Sequence, residues 1–419
     1  MSKIAVMGFG VVGSGTVEVI YNSKESIERK IGEPIEVKYI LDLHDFPDSP
    51  YADKLTKDFN DILKDDEIDI VVEAMGGLNP AYDFCKSCLL AGKSVVTSNK
   101  ELVAAKGAEL LEIASQNNVN FFFEASVGGG VPIIRPLHMC LAANEINEIA
   151  GILNGTTNFI LTKMIREKMT FDEALALAQE LGYAESDPTA DVDGHDSCRK
   201  ICILASLAFG RHVYPENIYT EGITKITAED VEYAASWGGA VKLIGWAKAT
   251  HKNGVKESDV VAMVCPAFIS SDSQLASVDD VFNGILVRGD ATGDVVFYGK
   301  GAGKYPTASS MVADVIDVAK ANGTSQTLTW VDSNQDFLID YKEAELAKYV
   351  RAECENKDDA KQLIQREFGE VTLLSRKNCP KNEIAFVTPI MAEGKIDEHI
   401  KKLKDGGMTI LSTIRVLDY

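Results

Sequence analysis

Apolar residues recur along this chain in two rhythms, and the switches between them outline its elements. Short apolar runs at 3–7, 35–41, 68–73, 94–97 and 120–123 read as strands, and helix-like stretches such as 100–114 separate most of them. Near-continuous apolar strands alternating with helices predict a parallel sheet covered on both faces. A further strand at 146–153 is followed by a helix at 159–167. Thr170-Phe171-Asp172-Glu173 has the form of a capping box and predicts a helix through Leu181 that Gly182 ends. The apolar run at 201–209 reads as a buried helix. Between 211 and 300 alternating runs, for example 259–265 and 294–298, predict a mixed sheet. After Glu343 the order is strand, helix, strand, strand, helix, strand, at 347–354, 357–367, 371–375, 383–389, 395–403 and 409–416. That order is the ferredoxin-like split βαβ.

The glycines add chemistry to this outline. Gly8-Phe9-Gly10-Val11-Val12-Gly13 follows the first strand and opens a helix, the setting in which GxGxxG holds a dinucleotide. Gly8 permits the tight turn, Gly10 lets a pyrophosphate approach the backbone, and Gly13 allows the helix to pack on the strand. The acidic residue for an adenosine ribose falls on Asp42, at the end of the second strand, with a long first helix through Lys30 explaining its distance from Gly13. An aspartate with no arginine beside it favours NAD over NADP, although a remote lysine would change that balance.

The fold class predicted is therefore α/β, with an N-terminal Rossmann dinucleotide-binding domain, an α+β mixed-sheet substrate and dimerisation domain, and a C-terminal ferredoxin-like domain. The boundaries are 1–135 for the first domain, then 136–300, a linker at 326–345, and 346–419, with completion of the first domain by about 301–325 implied by a family resemblance.

Composition excludes several classes of partner. The chain has 419 residues, 46% hydrophobic and 25% charged, with a formal charge of −21, which disfavours nucleic acid and anionic membrane surfaces. No apolar run approaches the roughly 20 residues that span a bilayer, and a strand begins too early to leave room for a signal peptide. A cytoplasmic protein is expected. The eight cysteines are too few and scattered for a disulfide scaffold. Cys85 and Cys88 form a CxxC inside a helix-like run with no second pair, and Cys198 and Cys202 read as core thiols. Asp332 to Glu343 imitates a calcium loop, but Phe337 stands where glycine is needed, so an acidic linker is expected there.

Four segments carry candidate chemistry. Thr97-Ser98-Asn99-Lys100 lies where a strand gives way to a helix, and a lysine in a first helical turn is poorly matched to the helix dipole. Glu124-Ala125-Ser126-Val127-Gly128-Gly129-Gly130-Val131-Pro132 can lie against a ligand or present carbonyls to a cation. Asn154-Gly155-Thr156-Thr157-Asn158 offers amides and hydroxyls to a nicotinamide or a substrate carboxylate. In AQELGYAESDPTADVDGHDSCRK, residues 178–200, Glu185, Asp187, Asp191, Asp193 and Asp196 precede Arg199 and Lys200. So many carboxylates call for a cation, such as a substrate ammonium. Asp196 and Lys200 are four apart on one helical face, where a functional pair and a surface ion pair worth about 0.3–0.5 kcal/mol are the two alternatives.

This ordered set, GFGVVG, SNK, EASVGGGVP, NGTTNFI, the 178–200 signature and GAGKYPTA, resembles the homoserine dehydrogenases from end to end of the first 310 residues. The resemblance implies reversible NAD(P)H-dependent reduction of L-aspartate 4-semialdehyde to L-homoserine, in threonine, methionine and isoleucine biosynthesis. It carries the acid–base lysine to Lys200 and a second lysine of the site to Lys100. Glu185 becomes the carboxylate that binds the substrate amino group, and Asp191 and Asp196 line the same site. Cofactor contacts fall on Gly8, Phe9, Gly10, Val11, Val12, Gly13, Asp42, Thr97, Lys100, Asn154 and Gly303. A sodium site would use Glu124 and the carbonyls of Val127, Gly129 and Val131. The C-terminal domain resembles an ACT regulatory module, implying threonine as a feedback ligand, although Glu355-Asn356-Lys357-Asp358-Asp359 lacks that module's Asp-x-Pro-Gly turn. A homodimer, or a dimer of dimers, is expected. Two other readings stay open: a dehydrogenase of a different amino-acid semialdehyde, and a dinucleotide sensor without turnover.

Overall fold

The computed structural model describes residues 2–250, 259–321 and 328–417. Residues 322–325 of the expected completion of the first domain lie outside the described residues. The chain forms two compact units, the first made of Met1–Ile146, Cys202–Glu216 and Arg288–Asn334, the second of Asn147–Ile201, Asn217–Val287 and Gln335–Tyr419.

The first unit is built on strands β1 (Ser2–Met7), β2 (Ile35–Leu41), β3 (Leu55–Thr56), β4 (Ile68–Glu73), β5 (Ser94–Thr97) and β6 (Phe121–Phe122). All pair in parallel, in the order β3-β2-β1-β4-β5-β6. Ile4, Ala5, Val6, Val71, Val72, Val95 and Val96 are fully buried, as strands covered on both faces require. The order reverses at β1, so the carboxyl ends of β1 and β4 flank the topological switch point where such sheets take ligands.

One expectation is corrected here. The segment after the glycine loop forms two helices, Val11–Asn22 and Lys24–Ile31, in place of one long helix through Lys30. Ser23 leaves helical geometry at φ −106° and ψ 14°, and Gly32 ends the second helix in the left-handed region at φ +89°. Adjacent Asn22 and Ser23 are weak helix formers whose side chains compete for backbone partners.

The second unit contains β7 (Ile146–Ile152), β8 (Tyr219–Thr220), β9 (Gly239–Thr250), β10 (Asp259–Ser270) and β11 (Phe282–Gly289); β12 (Gly293–Lys300) lies within the first unit's residues. Later come β13 (Glu345–Glu353), β14 (Thr372–Leu374), β15 (Glu383–Val387), β16 (Met391–Ala392) and β17 (Thr409–Leu417). The sheet runs β11-β7-β9-β10-β17-β13-β15-β14. β9 and β10 pair antiparallel along their whole lengths, and Ala267 to Ile269 of β10 pair in parallel with Arg415 to Leu417 of β17. Strands β17, β13, β15 and β14 thus extend the sheet that carries β9 and β10. At Asp332 to Glu343 the chain makes short 3-10 turns at Gln335–Phe337 and Tyr341–Glu343. Phe337 is buried there, and among the described residues no cluster of His, Cys, Asp or Glu is arranged to hold a metal. Cys85 and Cys88 are buried in the helix Ala81–Leu90, where burial pushes both thiols up, Cys88 to about 12. Among the described residues no helix is long and apolar enough to cross a membrane.

Candidate functional site

In the first unit the glycine loop follows β1. Gly8 stands at φ +92°, and its N–H donates to the Leu41 carbonyl at 2.8 Å, which draws the loop to the end of β2. A Cβ on Gly13 would lie 1.9 Å from the Gly8 oxygen, so only glycine lets the helix Val11–Asn22 start this close to the strand. A Cβ on Gly10 would meet nothing within 4 Å, leaving that backbone open. Phe9 is buried edge-on against Phe46, Val12 is half-buried, and Val11 is 66% exposed. Asp42 accepts from Phe9 N–H at 2.7 Å and His44 N–H at 2.9 Å. Burial raises the Asp42 pKa, but these backbone donors outweigh it and hold the carboxyl below its usual value.

At the ends of β4 and β5, Glu73 is fully buried and takes the Thr97 hydroxyl together with the N–H groups of Met75 and Gly76. Burial still raises its pKa, because the hydrogen bonds do not offset desolvation. Thr97 is likewise fully buried, so its hydroxyl is committed to the protein. Asn99 caps the helix Lys100–Gln116 by accepting from Leu102 N–H at 3.1 Å, and half-buried Lys100 occupies the first helical position.

The carboxylate of Glu124 accepts three backbone donors, from Ile133 at 2.6 Å, Ile134 at 2.9 Å and Arg135 at 2.8 Å. Its Oε2 takes only one of these, leaving room on that oxygen for a further partner. Asp314 accepts from the Glu124 N–H, and burial with the nearby Glu124 charge pushes its carboxyl up to about 8 against the pull of Arg135. A Cβ on Gly129, at φ +57°, would sit 2.3 Å from the Gly301 oxygen, and Gly130 N–H donates to the Lys300 carbonyl. Gly129 and Gly130 therefore let residues 300–301 approach this segment closely. Gly303, at φ +120°, precedes the helix Lys304–Lys320.

The second unit gathers four predicted residues into one polar cluster. Asn154, at the end of β7, caps the helix Gly155–Glu167 by accepting from Thr157 N–H at 2.8 Å. Its Nδ2 donates to Asp191 at 2.7 Å and to Asp196 at 2.9 Å. Asp196 pairs with Lys200 at 2.8 Å, and Lys200 Nζ also donates to the Leu153 carbonyl at 2.7 Å. The side chains of Lys200 and Asp196 are 9% and 6% exposed, so the pair is buried. Burial raises the pKa of Asp191, with Asn154 opposing it. The other carboxylates of the segment disperse. Asp187 accepts from Thr189, while Glu185 is exposed and its carboxylate has no hydrogen bond among the described residues. Gln179 fixes the Glu185 backbone instead.

Sequence reasoning missed Glu73, the Leu153 carbonyl and Asn283, which donates to that same carbonyl at 3.0 Å. An acidic residue closing an apolar strand was a signal for Glu73. A backbone oxygen gives none.

The homoserine dehydrogenase NAD-binding domain family matches residues 8–124, and the homoserine dehydrogenase family matches residues 132–316. A homoserine dehydrogenase of Synechocystis is 46% identical over 321 residues, 75% of this chain and 73% of that protein. The crystal structure of one from Thiobacillus denitrificans superposes with a TM-score of 0.89 at 34% identity, covering 100% of this chain and 98% of the other. A hyperthermophilic archaeal homoserine dehydrogenase, solved in complex with NADPH, covers 76% of this chain and 97% of its own with a TM-score of 0.63 at 30% identity. The chain belongs to the homoserine dehydrogenase family, NAD(P)-dependent oxidoreductases acting on a CH–OH group.

Proposed function

We propose that Lys200 is the acid–base residue of the interconversion of L-aspartate 4-semialdehyde and L-homoserine. The observation that carries this reading is the cluster of buried Asn154, Asp196 and Lys200 with half-buried Asp191. When bound, the nicotinamide supplies or accepts the hydride at the substrate carbon. In the reducing direction the carbonyl oxygen gains negative charge, and Lys200 Nζ delivers its proton there. In oxidation the same nitrogen, neutral, takes the hydroxyl proton. Asp196 and the Leu153 carbonyl hold the Lys200 ammonium in place at 2.8 and 2.7 Å. Asp191 lines the site, and Glu185, exposed and without a hydrogen bond from its carboxylate among the described residues, is available to a substrate ammonium. Lys100 is the second lysine of the reaction, its place in a first helical turn otherwise being unfavourable.

The dinucleotide reading rests on the open backbone at Gly10, the exposed Val11, and Asp42 at the end of β2 for the ribose. Phe9, Val12 and Gly13 shape that loop, Thr97 contributes its backbone, Asn154 its amide to the nicotinamide, and Gly303 a helix start. A sodium ion would take Glu124 with the carbonyls of Val127, Gly129 and Val131, an all-oxygen set suited to a hard cation. The strand order β17-β13-β15-β14 favours a ferredoxin-like, ACT-like module at 346–419, with threonine as its ligand. A homodimer in the cytoplasm completes the reading.

The test is homoserine oxidation followed by formation of reduced nicotinamide, with NAD and NADP in parallel and threonine added to one arm. Lys200→Ala is expected to lower kcat by about 10²- to 10⁴-fold with dinucleotide affinity unchanged. Turnover near wild type in that variant removes Lys200 from the role, and insensitivity to threonine removes the feedback ligand.

A further inference from the structure

The Leu153 carbonyl serves two side chains at once, Lys200 Nζ at 2.7 Å and Asn283 Nδ2 at 3.0 Å. A carbonyl oxygen has two lone pairs, so these donors fill it. Asn283 is only 1% exposed, and its own Oδ1 has no partner among the described residues. Turning the amide over would set oxygen against oxygen at Leu153, so the carbonyl fixes the orientation.

Residues 278–283 are already fastened to the turn at 154–158 without Asn283. Asn158 Nδ2 donates to the carbonyls of Val278 at 3.0 Å, Asp280 at 2.9 Å and Phe282 at 3.3 Å. Lys242, fully buried, adds bonds from Nζ to the Val278 carbonyl at 2.5 Å and to Asn158 Oδ1 at 3.2 Å. The backbone at Gly155 packs so tightly on Val281 that a Cβ would lie 2.8 Å from its oxygen. The bond from Asn283 to Leu153 is therefore redundant for holding the turn. Its distinctive consequence falls on the acceptor that Lys200 uses.

We propose that Asn283 is a positioning residue for Lys200, acting through the shared Leu153 carbonyl. By occupying one lone pair it confines the Lys200 ammonium to the other and fixes the direction of Nζ. It also weakens that oxygen as an acceptor, which eases loss of the Lys200 proton and so supports the base step of homoserine oxidation. The unpartnered Oδ1 is the penalty of this arrangement. The inference rests on Lys200 being the proton carrier.

The experiment compares pH profiles of kcat for homoserine oxidation in full-length wild type, Asn283→Leu, Asn283→Asp and Lys200→Ala. Circular dichroism verifies the fold, and dinucleotide affinity is measured alongside. Asn283→Leu fills a similar volume without the donor. It is expected to lower kcat about tenfold near neutral pH and to move the rising limb about one unit upward, with KM and dinucleotide affinity within about twofold. Asn283→Asp keeps the shape and sets a carboxylate beside the ammonium, so its limb moves further upward. Unmoved limbs in both folded variants, or a change in KM with kcat intact, overturn the proposal. Wild-type turnover in Lys200→Ala instead overturns the reading beneath it, so the two failures are distinguishable. If Asn283→Leu does not fold, the Asn283→Asp profile alone decides.

Discussion

Spacing revealed the Asp196–Lys200 pair but gave no measure of its burial. An exposed pair four residues apart is worth a few tenths of a kcal/mol, whereas removing one partner of a buried pair costs about 3–5 kcal/mol by stranding the other charge. Asp196→Ala is accordingly expected to lower unfolding free energy by about 3 kcal/mol or more in urea titration, and Asp196→Asn to remain strongly destabilising, relieved only by the acceptor it keeps for Lys200, because it too removes the countercharge. A loss below about 1 kcal/mol in the alanine variant would mean that the pair is solvated. Gly13 is the opposite case, legible in full from its motif. With a Cβ 1.9 Å from the Gly8 oxygen, Gly13→Ala must displace the loop, and dinucleotide affinity should fall at least about tenfold in a fluorescence titration. Glu185 was read from its charge alone, and charge does not specify partners. The fold leaves its carboxylate in solvent while committing Asp187 to Thr189.

Element types followed the apolar periodicity closely, and their ends followed local chemistry. The capping box at Thr170 and Glu173 is present as expected, with reciprocal bonds of 2.8 Å and 3.3 Å. Thr170→Ala should cost about 1 kcal/mol, measured by the shift in urea midpoint. The break at Ser23 was missed because neither neighbour is a glycine or proline, and two weak helix formers suffice to interrupt a short amphipathic run. The helix Lys100–Gln116 shows what one sequence segment cannot reveal about itself. Gly107 leaves space for Trp330, whose ring would lie 2.6 Å from an added Cβ. Trp330 Nε1 donates to His212 Nδ1 at 2.9 Å, while the other ring nitrogen meets the Ala104 carbonyl at 2.8 Å, so His212 is held neutral with its proton on Nε2. Burial lowers the His212 pKa below the reference 6.5, and the unfolded chain therefore binds its proton at higher pH than the folded one. Its stabilising contribution is complete above pH 6.5 and is lost as pH falls below that value. His212→Gln should flatten the fall in urea midpoint between neutral and mildly acidic pH, and an unchanged slope would assign that fall to other groups.

Across the whole molecule, charge is distributed in a way that its total conceals. The formal charge of −21 is only a sum, and the second unit buries a network of ions. Arg415, 5% exposed, binds Glu393 through bonds of 2.6 and 3.0 Å and Glu221 at 2.7 Å, while Lys348 reaches Glu393 at 2.8 Å. Arg351 similarly joins Asp230 and Glu383. These ions tie β13, β15 and β17 to the loop and helix at 221–237, beside the parallel pairing of β17 with β10. Arg415→Met should destabilise the second unit by about 3–5 kcal/mol in thermal or urea unfolding, since Glu393 and Glu221 lose a shared cation. A negligible effect would show that this segment is held by its sheet alone. The sequence by itself determined the succession of strands and helices, the dinucleotide turn and the residues of the acidic signature, because periodicity, glycine geometry and capping act over a few neighbouring positions. Tertiary structure decided which of those residues meet. Burial, a shared backbone carbonyl such as that of Leu153, and a glycine's clearance for a distant tryptophan depend on segments far apart in the chain, and no local pattern encodes them.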